Sequence, residues 1–261
     1  MRLRSQPDSL SKTDDMLLLR FITSLWVLAN CNAFTTPNLL TTALTSSSSP
    51  QVPGQQLVLI SGCTGTGKST FGMEVAITKG ILKCISTDTI RQVMKTYDQD
   101  PALHRSSFSG DGDPLVQWKE TCEVLQASID SVVIDALNRG VSLVLEGVHV
   151  IPDKALIDRW KATGGVAVGV VLQIPDPDLH RQIIFSRGER TTKGAANQIN
   201  KFSRIRAIHD EMVRLGDEHD WLVIEQRPII APKPIDLLNN KIRDVWFEGL
   251  SRNVLSKNSI I

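Results

Sequence analysis

The residues Gly62-Cys63-Thr64-Gly65-Thr66-Gly67-Lys68-Ser69-Thr70 carry the spacing G-x-x-x-x-G-K-[ST]. Glycines at these points let backbone N–H groups close around a chain of phosphates, and the helix that follows adds its partial positive charge. In such a loop Lys68 reaches the β- and γ-phosphates and the Ser69 hydroxyl ligates Mg²⁺. The nine residues are therefore the candidate nucleotide-binding set, with Lys68 also a candidate catalytic residue. Three further segments carry chemistry-bearing side chains. Asp88 and Arg91 lie in Thr87-Asp88-Thr89-Ile90-Arg91. Glu146 and His149 lie in Glu146-Gly147-Val148-His149. Arg187 and Arg190 open a cationic stretch that runs to Gly194.

The elements around these residues must present them at one edge. Leu57 to Ile60 is a short apolar run of strand type, and Phe71 to Lys79 reads as a helix stopped by Gly80. Strand, glycine turn and helix is the context that gives the phosphate pattern a mechanism. A second strand, Leu82 to Ser86, leads into a helix from Thr87, the expected cap, to about Thr96. An aspartate just past a parallel strand stands where open α/β sheets bind ligands. There Asp88 can orient a hydroxyl or take its proton, and Arg91, one turn on, can meet an anionic group. The competing reading makes Asp88 a first-turn complement to the helix dipole and leaves Arg91 solvated.

Tyr97 to Asp113 reads as a loop, and Asp113-Pro114 as the start of a helix to Asn138, stopped by Arg139-Gly140. Leu115, Trp118, Cys122, Leu125, Ile129, Val132 or Val133, and Ala136 form its core stripe. The strand Val141 to Leu145 ends in Glu146, at the position where phosphate-loop proteins hold Mg²⁺ directly or through water. His149 points near the same edge, either as a substrate contact or as a hydrogen-bonded structural residue. Next come a short helix over Pro152 to Lys161, a strand over Val166 to Ile174, and a helix opened by Pro175-Asp176-Pro177-Asp178 and ending at Ser186. The segment from Arg187 to Gly194 is either a lid whose arginines stabilise charge on a transferring group or a solvated turn. A helix from Asn197 to Leu215 turns Ile205 and Ile208 inward. Trp221 to Ile224 makes the fifth strand, Pro234 to Leu250 a closing helix, and Ser251 to Ile261 a frayed tail.

At 261 residues the chain accommodates one α/β domain, here taken as residues 53–250, with extra segments. A formal charge of +1 gives no support for a nucleic-acid or membrane-surface binder. Cys63, Cys84 and Cys122 have neither metal-ligand spacing nor a disulfide framework. Cys84 and Cys122 read as small core residues. Residues 1–52 read as a targeting leader. Met16 to Ala33 has the form of a signal peptide, and Phe34 to Val52 is rich in Ser and Thr without an acidic residue, like a transit peptide. Residues 1–15 are polar, so translation from Met16 is one possibility. The Ala33-Phe34 junction resembles the cleavage motif of bipartite plastid presequences. A plastid destination is the expectation, against secretion or a cytoplasmic protein with a disordered arm.

In combination, GCTGTGKST at 62–70, ISTDTIRQVMK at 85–95, LEGVHVIP at 145–152 and INKFSRIRAIHDEM at 199–212 resemble 2-phosphoglycerate kinases and the related low-phytic-acid proteins of plants. The resemblance covers about residues 57–225, and lacks the extra N-terminal domain of many relatives. It implies a P-loop NTPase, nucleotide-kinase-like α/β domain: a doubly wound parallel sheet of about five strands, in the order 2-3-1-4-5, flanked by helices. It implies an enzyme, a phosphotransferase using ATP and Mg²⁺ to phosphorylate a hydroxyl of a small phosphorylated metabolite. For the archaeal members that acceptor is 2-phosphoglycerate, giving 2,3-bisphosphoglycerate; for the plant relatives the link is to inositol phosphates. Under it, Ser69 and Glu146 hold or position the metal, and Asp88, Arg91 and His149 bind the acceptor. Lys68, Asp88, Arg187 and Arg190 are its catalytic set. Another acceptor, or nucleotide binding without turnover, remains open. No nucleic-acid partner and no membrane-embedded segment in the mature domain are expected.

Overall fold

The computed structural model describes residues 54–106, 108, 110–189, 201–225 and 233–258, the side chains of 187–189 and 252–258 excepted. The sheet consists of β1 (Gln56–Ser61), β2 (Lys83–Ser86), β3 (Leu143–Glu146), β4 (Val166–Gln173) and β5 (Leu222–Glu225). All pairings are parallel and the order is β2-β3-β1-β4-β5, as the family resemblance implies. Parallel strands need helical crossovers, which here cover both faces and account for the nearly unbroken apolar runs in the strands.

The strand side chains still alternate between two cores. Leu57, Leu59, Leu143, Leu145, Ala167 and Val171 face one layer; Val58, Ile60, Val144, Val168, Val170 and Leu172 face the other. The first layer is closed by α4 (Pro114–Asn138), α5 (Ala155–Ala162) and α7 (Phe202–Glu218); the second by α1 (Lys68–Lys79) and α8 (Pro234–Asn258). The remaining helices are α2 (Thr87–Met94), α3 (Pro101–His104) and α6 (Pro177–Glu189). In α4 the buried residues are Trp118, Thr121, Cys122, Leu125, Ile129, Val133 and Ala136; of the expected stripe Val133 rather than Val132 is fully inward, and Leu115 is only half-buried. The Asp113 carboxylate caps it, accepting from the N–H groups of Leu115 and Val116. Each fully buried Leu or Ile of such a stripe stabilises by about 2 kcal/mol.

Several expected boundaries differ. Thr87 does not cap α2; the Ser86 hydroxyl does, accepting from Asp88 N–H, and Thr87 is buried in the first turn. The stretch from Tyr97 to Asp113 contains α3, capped by Asp100 with Pro101 at its first turn, a local start signal in a polar loop. The helix expected over Pro152 to Lys161 starts only at Ala155. Helix α6 runs through Arg187 to Glu189, so the cationic segment begins as helix rather than as a loop; Arg190 to Gly194 lies outside the described residues. Helix α8 continues past Leu250 to Asn258 where a frayed tail was expected. Cys84 is only half buried because β2 is an edge strand, whereas Cys122 is in the core. The leader at 1–52 also lies outside the described residues. Among the described residues no helix is long and apolar enough to cross a membrane.

Candidate active site

Three adjacent strands end level with one another. Glu146 is in register with Ile60 of β1 on one side and with Ser86 of β2 on the other. The phosphate loop therefore leaves β1, and Asp88 leaves β2, from the same carboxyl edge at which Glu146 closes β3. This is the edge where open parallel sheets bind ligands.

The loop folds back on the carbonyl of Cys63, which accepts from the Thr66 hydroxyl at 2.9 Å and from Lys68 Nζ at 2.7 Å. Gly65 and Gly67 take φ values of 86° and 84°, a region that costs a side-chain-bearing residue free energy. The Cys63 side chain also takes part: its thiol donates to the Ile205 carbonyl at 3.3 Å, fastening the loop to α7. Burial pushes that thiol up to about 12, so it is a packing and hydrogen-bonding group and not a nucleophile.

Ser69, in the first turn of α1, donates its hydroxyl to Glu146 Oε1 at 3.1 Å. Glu146 is 5% exposed, and Gly72 of α1 lies over its stem: a Cβ there would come 3.5 Å from Glu146 Cγ. A hydroxyl and a carboxylate are hard oxygen donors. Mg²⁺ prefers one or two of these together with phosphate oxygens and water, so the residues present fit that ion. Among the described residues no cluster of three or more His, Cys, Asp or Glu forms an all-protein metal site.

Asp88 is exposed, and His149 stands behind it. The imidazole is 1% exposed, with Nδ1 at 3.1 Å from the Thr87 hydroxyl and 3.7 Å from Asp88 Oδ1. Burial holds its pKa down at about 4, opposed by Asp88 and assisted by Arg91 and Lys68, so the ring is neutral at pH 7. Gly147 makes this packing possible, since a Cβ there would fall 1.8 Å from the Thr87 hydroxyl. Trp118 reaches the same turn from α4 and donates its indole N–H to the Val148 carbonyl at 2.7 Å.

Arg91 turns toward the loop after α2. Its Nε donates to the Leu103 carbonyl at 2.9 Å and Nη2 to the Arg105 carbonyl. Burial lowers its pKa and the Asp88 charge opposes that shift. Arg105 in turn pairs with Glu120, and Arg204 of α7 donates to the Gly112 carbonyl at 2.6 Å and to Gln117 Oε1 at 2.7 Å. Asp88 and His149 are thus brought together at the ends of β2 and β3, and the Arg91 charge acts on both while its guanidinium is held by the carbonyls of Leu103 and Arg105. The side chain of Arg187 and the whole of Arg190 lie outside the described residues.

Sequence reasoning missed a second group. His180 of α6 reaches the Thr64 carbonyl, Arg206 spans to Asp210, and His209 accepts the Ile174 N–H. The His180 and His209 contacts cross between elements, whereas Arg206–Asp210 is a pair one turn apart within α7; the one local sign was polar residues falling on the apolar faces of α6 and α7.

No protein-family model matches the chain. It is similar to curated proteins named 2-phosphoglycerate kinase: 28% identical over 209 residues to that of Methanocaldococcus jannaschii, covering 75% of this chain and 67% of the relative. It is 30% identical over 187 residues to that of Methanopyrus kandleri, covering 66% and 57%. Against that of Pyrococcus furiosus it is 32% identical over 181 residues, covering 65% and 58%. The chain thus spans between 57% and 67% of the length of these relatives. Among solved structures, shikimate kinase from Acinetobacter baumannii in complex with shikimate overlaps loosely, with a TM-score of 0.42 at 15% identity over 81% of this chain and 98% of that one.

Proposed function

Because the chain is 2-phosphoglycerate kinase-like in sequence, with a P-loop kinase fold, we propose that it is an ATP-dependent small-molecule kinase. Its acceptor is the hydroxyl of a phosphorylated metabolite, with 2-phosphoglycerate as substrate and 2,3-bisphosphoglycerate as product. The observation that carries this reading is the level row of Ile60, Glu146 and Ser86. That row sets the phosphate loop, the Ser69–Glu146 pair and Asp88 side by side.

In this reading the loop from Gly62 to Thr70 cradles the ATP phosphates. Lys68 exchanges the Cys63 carbonyl for oxygens of the β- and γ-phosphates. Ser69 and Glu146 hold Mg²⁺, which when bound supplies positive charge to the phosphate oxygens. Asp88 orients the acceptor hydroxyl and takes its proton as that oxygen bonds to the γ-phosphorus and the bond to the ADP oxygen breaks. His149 and Thr87 fix the turn from which Asp88 projects. Arg91 draws an anionic acceptor toward Asp88, and Arg187 with Arg190 closes over the transferring group.

A panel of phosphorylated acceptors with labelled ATP and Mg²⁺ tests this. Label transfer to 2-phosphoglycerate is the expected result. Transfer to an inositol, sugar or nucleoside phosphate instead would move the acceptor assignment, and ATP binding without any transfer would replace catalysis by nucleotide sensing. The leader-like composition of residues 1–52 and the Ala33-Phe34 junction also support a plastid destination. Fluorescent tagging of residues 1–55 tests it, with label in the medium or cytosol as the contrary result.

A further inference from the structure

Helix α6 braces the crest of the phosphate loop. His180 is fully buried, and its Nε2 lies 2.8 Å from the Thr64 carbonyl oxygen. A carbonyl only accepts, so Nε2 carries the proton and Nδ1 keeps its lone pair. Arg206 Nη1 stands 3.4 Å from that Nδ1 as the matching donor. The same guanidinium donates to the Ile174 carbonyl at 2.8 Å and to Asp210 Oδ1 at 2.6 Å. Asp210 also accepts from His209 Nδ1, while His209 Nε2 accepts the Ile174 N–H. Each partner fixes the next, so His180 is held in one tautomer and one rotamer. The crest itself is pressed close: a Cβ on Gly65 would meet Ile184 Cγ1 at 3.0 Å and His180 Nε2 at 3.5 Å.

In a trans peptide the carbonyl and the following N–H point to opposite sides. With the Thr64 carbonyl turned onto His180, the Gly65 N–H faces away from α6. We propose that His180 is a positioning residue of the phosphate loop, holding the Thr64–Gly65 peptide so that the Gly65 N–H is presented to the nucleotide's phosphates. This rests on the reading of residues 62–70 as a nucleotide-phosphate cradle. It goes beyond that reading by assigning the loop's working geometry to a side chain 116 residues away. It also makes the start of α6, the helix that leads to Arg187 and Arg190, a wall of the same site.

The test compares His180→Gln with His180→Asn in the full chain. A glutamine amide nitrogen reaches about as far as Nε2, whereas that of asparagine stops near the Nδ1 position. ATP binding is measured by calorimetry with Mg²⁺, and unfolding midpoints are measured without nucleotide. Loss of one preorganised donor predicts ATP binding at least about tenfold weaker in the Asn variant, and within about threefold of wild type in the Gln variant, at similar unfolding midpoints. His180→Phe, of similar volume and without a donor, should match the Asn variant and replaces it if that variant does not fold. Wild-type affinity in the Asn or Phe variant, or equal loss in the Gln variant, overturns the proposal. Failure of the wild-type chain to bind ATP overturns the nucleotide reading, and this proposal with it.

Discussion

Ser69 and Glu146 lie 77 residues apart in the chain, yet the serine hydroxyl donates to the glutamate Oε1 at 3.1 Å. One comes from the first turn of α1 and the other from the end of a strand flanked by β1 and β2, so the fold itself assembles the pair. Neither residue is sufficient evidence for a metal alone. Together they offer two oxygens beside the phosphate loop.

Glu146→Gln and Ser69→Ala should each raise the Mg²⁺ concentration for half-maximal phosphoryl transfer by about tenfold or more. The double variant should lose less than the product of the two single effects, because both act on one ion. A Mg²⁺ titration of initial rates checks this. Independent, multiplicative losses would separate the two residues.

The Asp88 carboxylate is exposed, with Oδ1 3.7 Å from His149 Nδ1. Asp88→Asn should lower kcat by about 10²–10⁴-fold while ATP affinity changes by less than about twofold. Steady-state kinetics alongside calorimetry separates the two quantities. Intact turnover would remove Asp88 from the catalytic set.

Gly147→Ala would drive a methyl group to within 1.8 Å of the Thr87 hydroxyl, breaking its contact with His149. Overpacking of this kind should cost about 2–3 kcal/mol, visible as a thermal midpoint about 5–10 °C lower. Gly249→Ala, where a Cβ meets nothing within 4 Å, is the control and should be neutral or slightly stabilising.

His149 and His209 are buried with pKa values held near 4. Both are depressed below the unfolded value of about 6.5, so between these limits the unfolded chain binds more protons than the folded one. Stability should rise with pH across that window and be lost as pH falls from about 6.5 toward 4, each imidazole contributing up to about 1.4 kcal/mol per pH unit. Urea midpoints at pH 7, 6 and 5 measure the slope. His180, lowered by burial as well, adds to the same slope, and His209→Gln, which does not titrate, should reduce it without abolishing it.

What the sequence made legible follows the range of the interactions involved. The sheet order came from a family resemblance, but the strands themselves were readable because buried parallel strands are continuous apolar runs. The limits of α4 were readable because Asp113-Pro114 and Arg139-Gly140 act within one turn. Asp88 and Glu146 were readable as carboxylates just beyond such runs. The cap of α2 was misplaced by one residue, since Ser86 and Thr87 are chemically alike and only burial separates their roles. His180 and Arg206 were not readable as loop supports. What distinguishes them is contact with Thr64 and Ile174, which no local pattern encodes. His149 was readable only as a residue near that edge; its near-complete burial, and so its place behind Asp88, depends on packing under Gly147.

The indole of Trp118 is fully buried and anchored to the Val148 carbonyl, one residue from Gly147 and one from His149. Tryptophan emission depends on the polarity and hydrogen bonding around its ring. The protein thus carries an optical reporter at the turn behind Asp88, one of five tryptophans in the chain, and Trp118→Phe isolates the part of the emission that arises there.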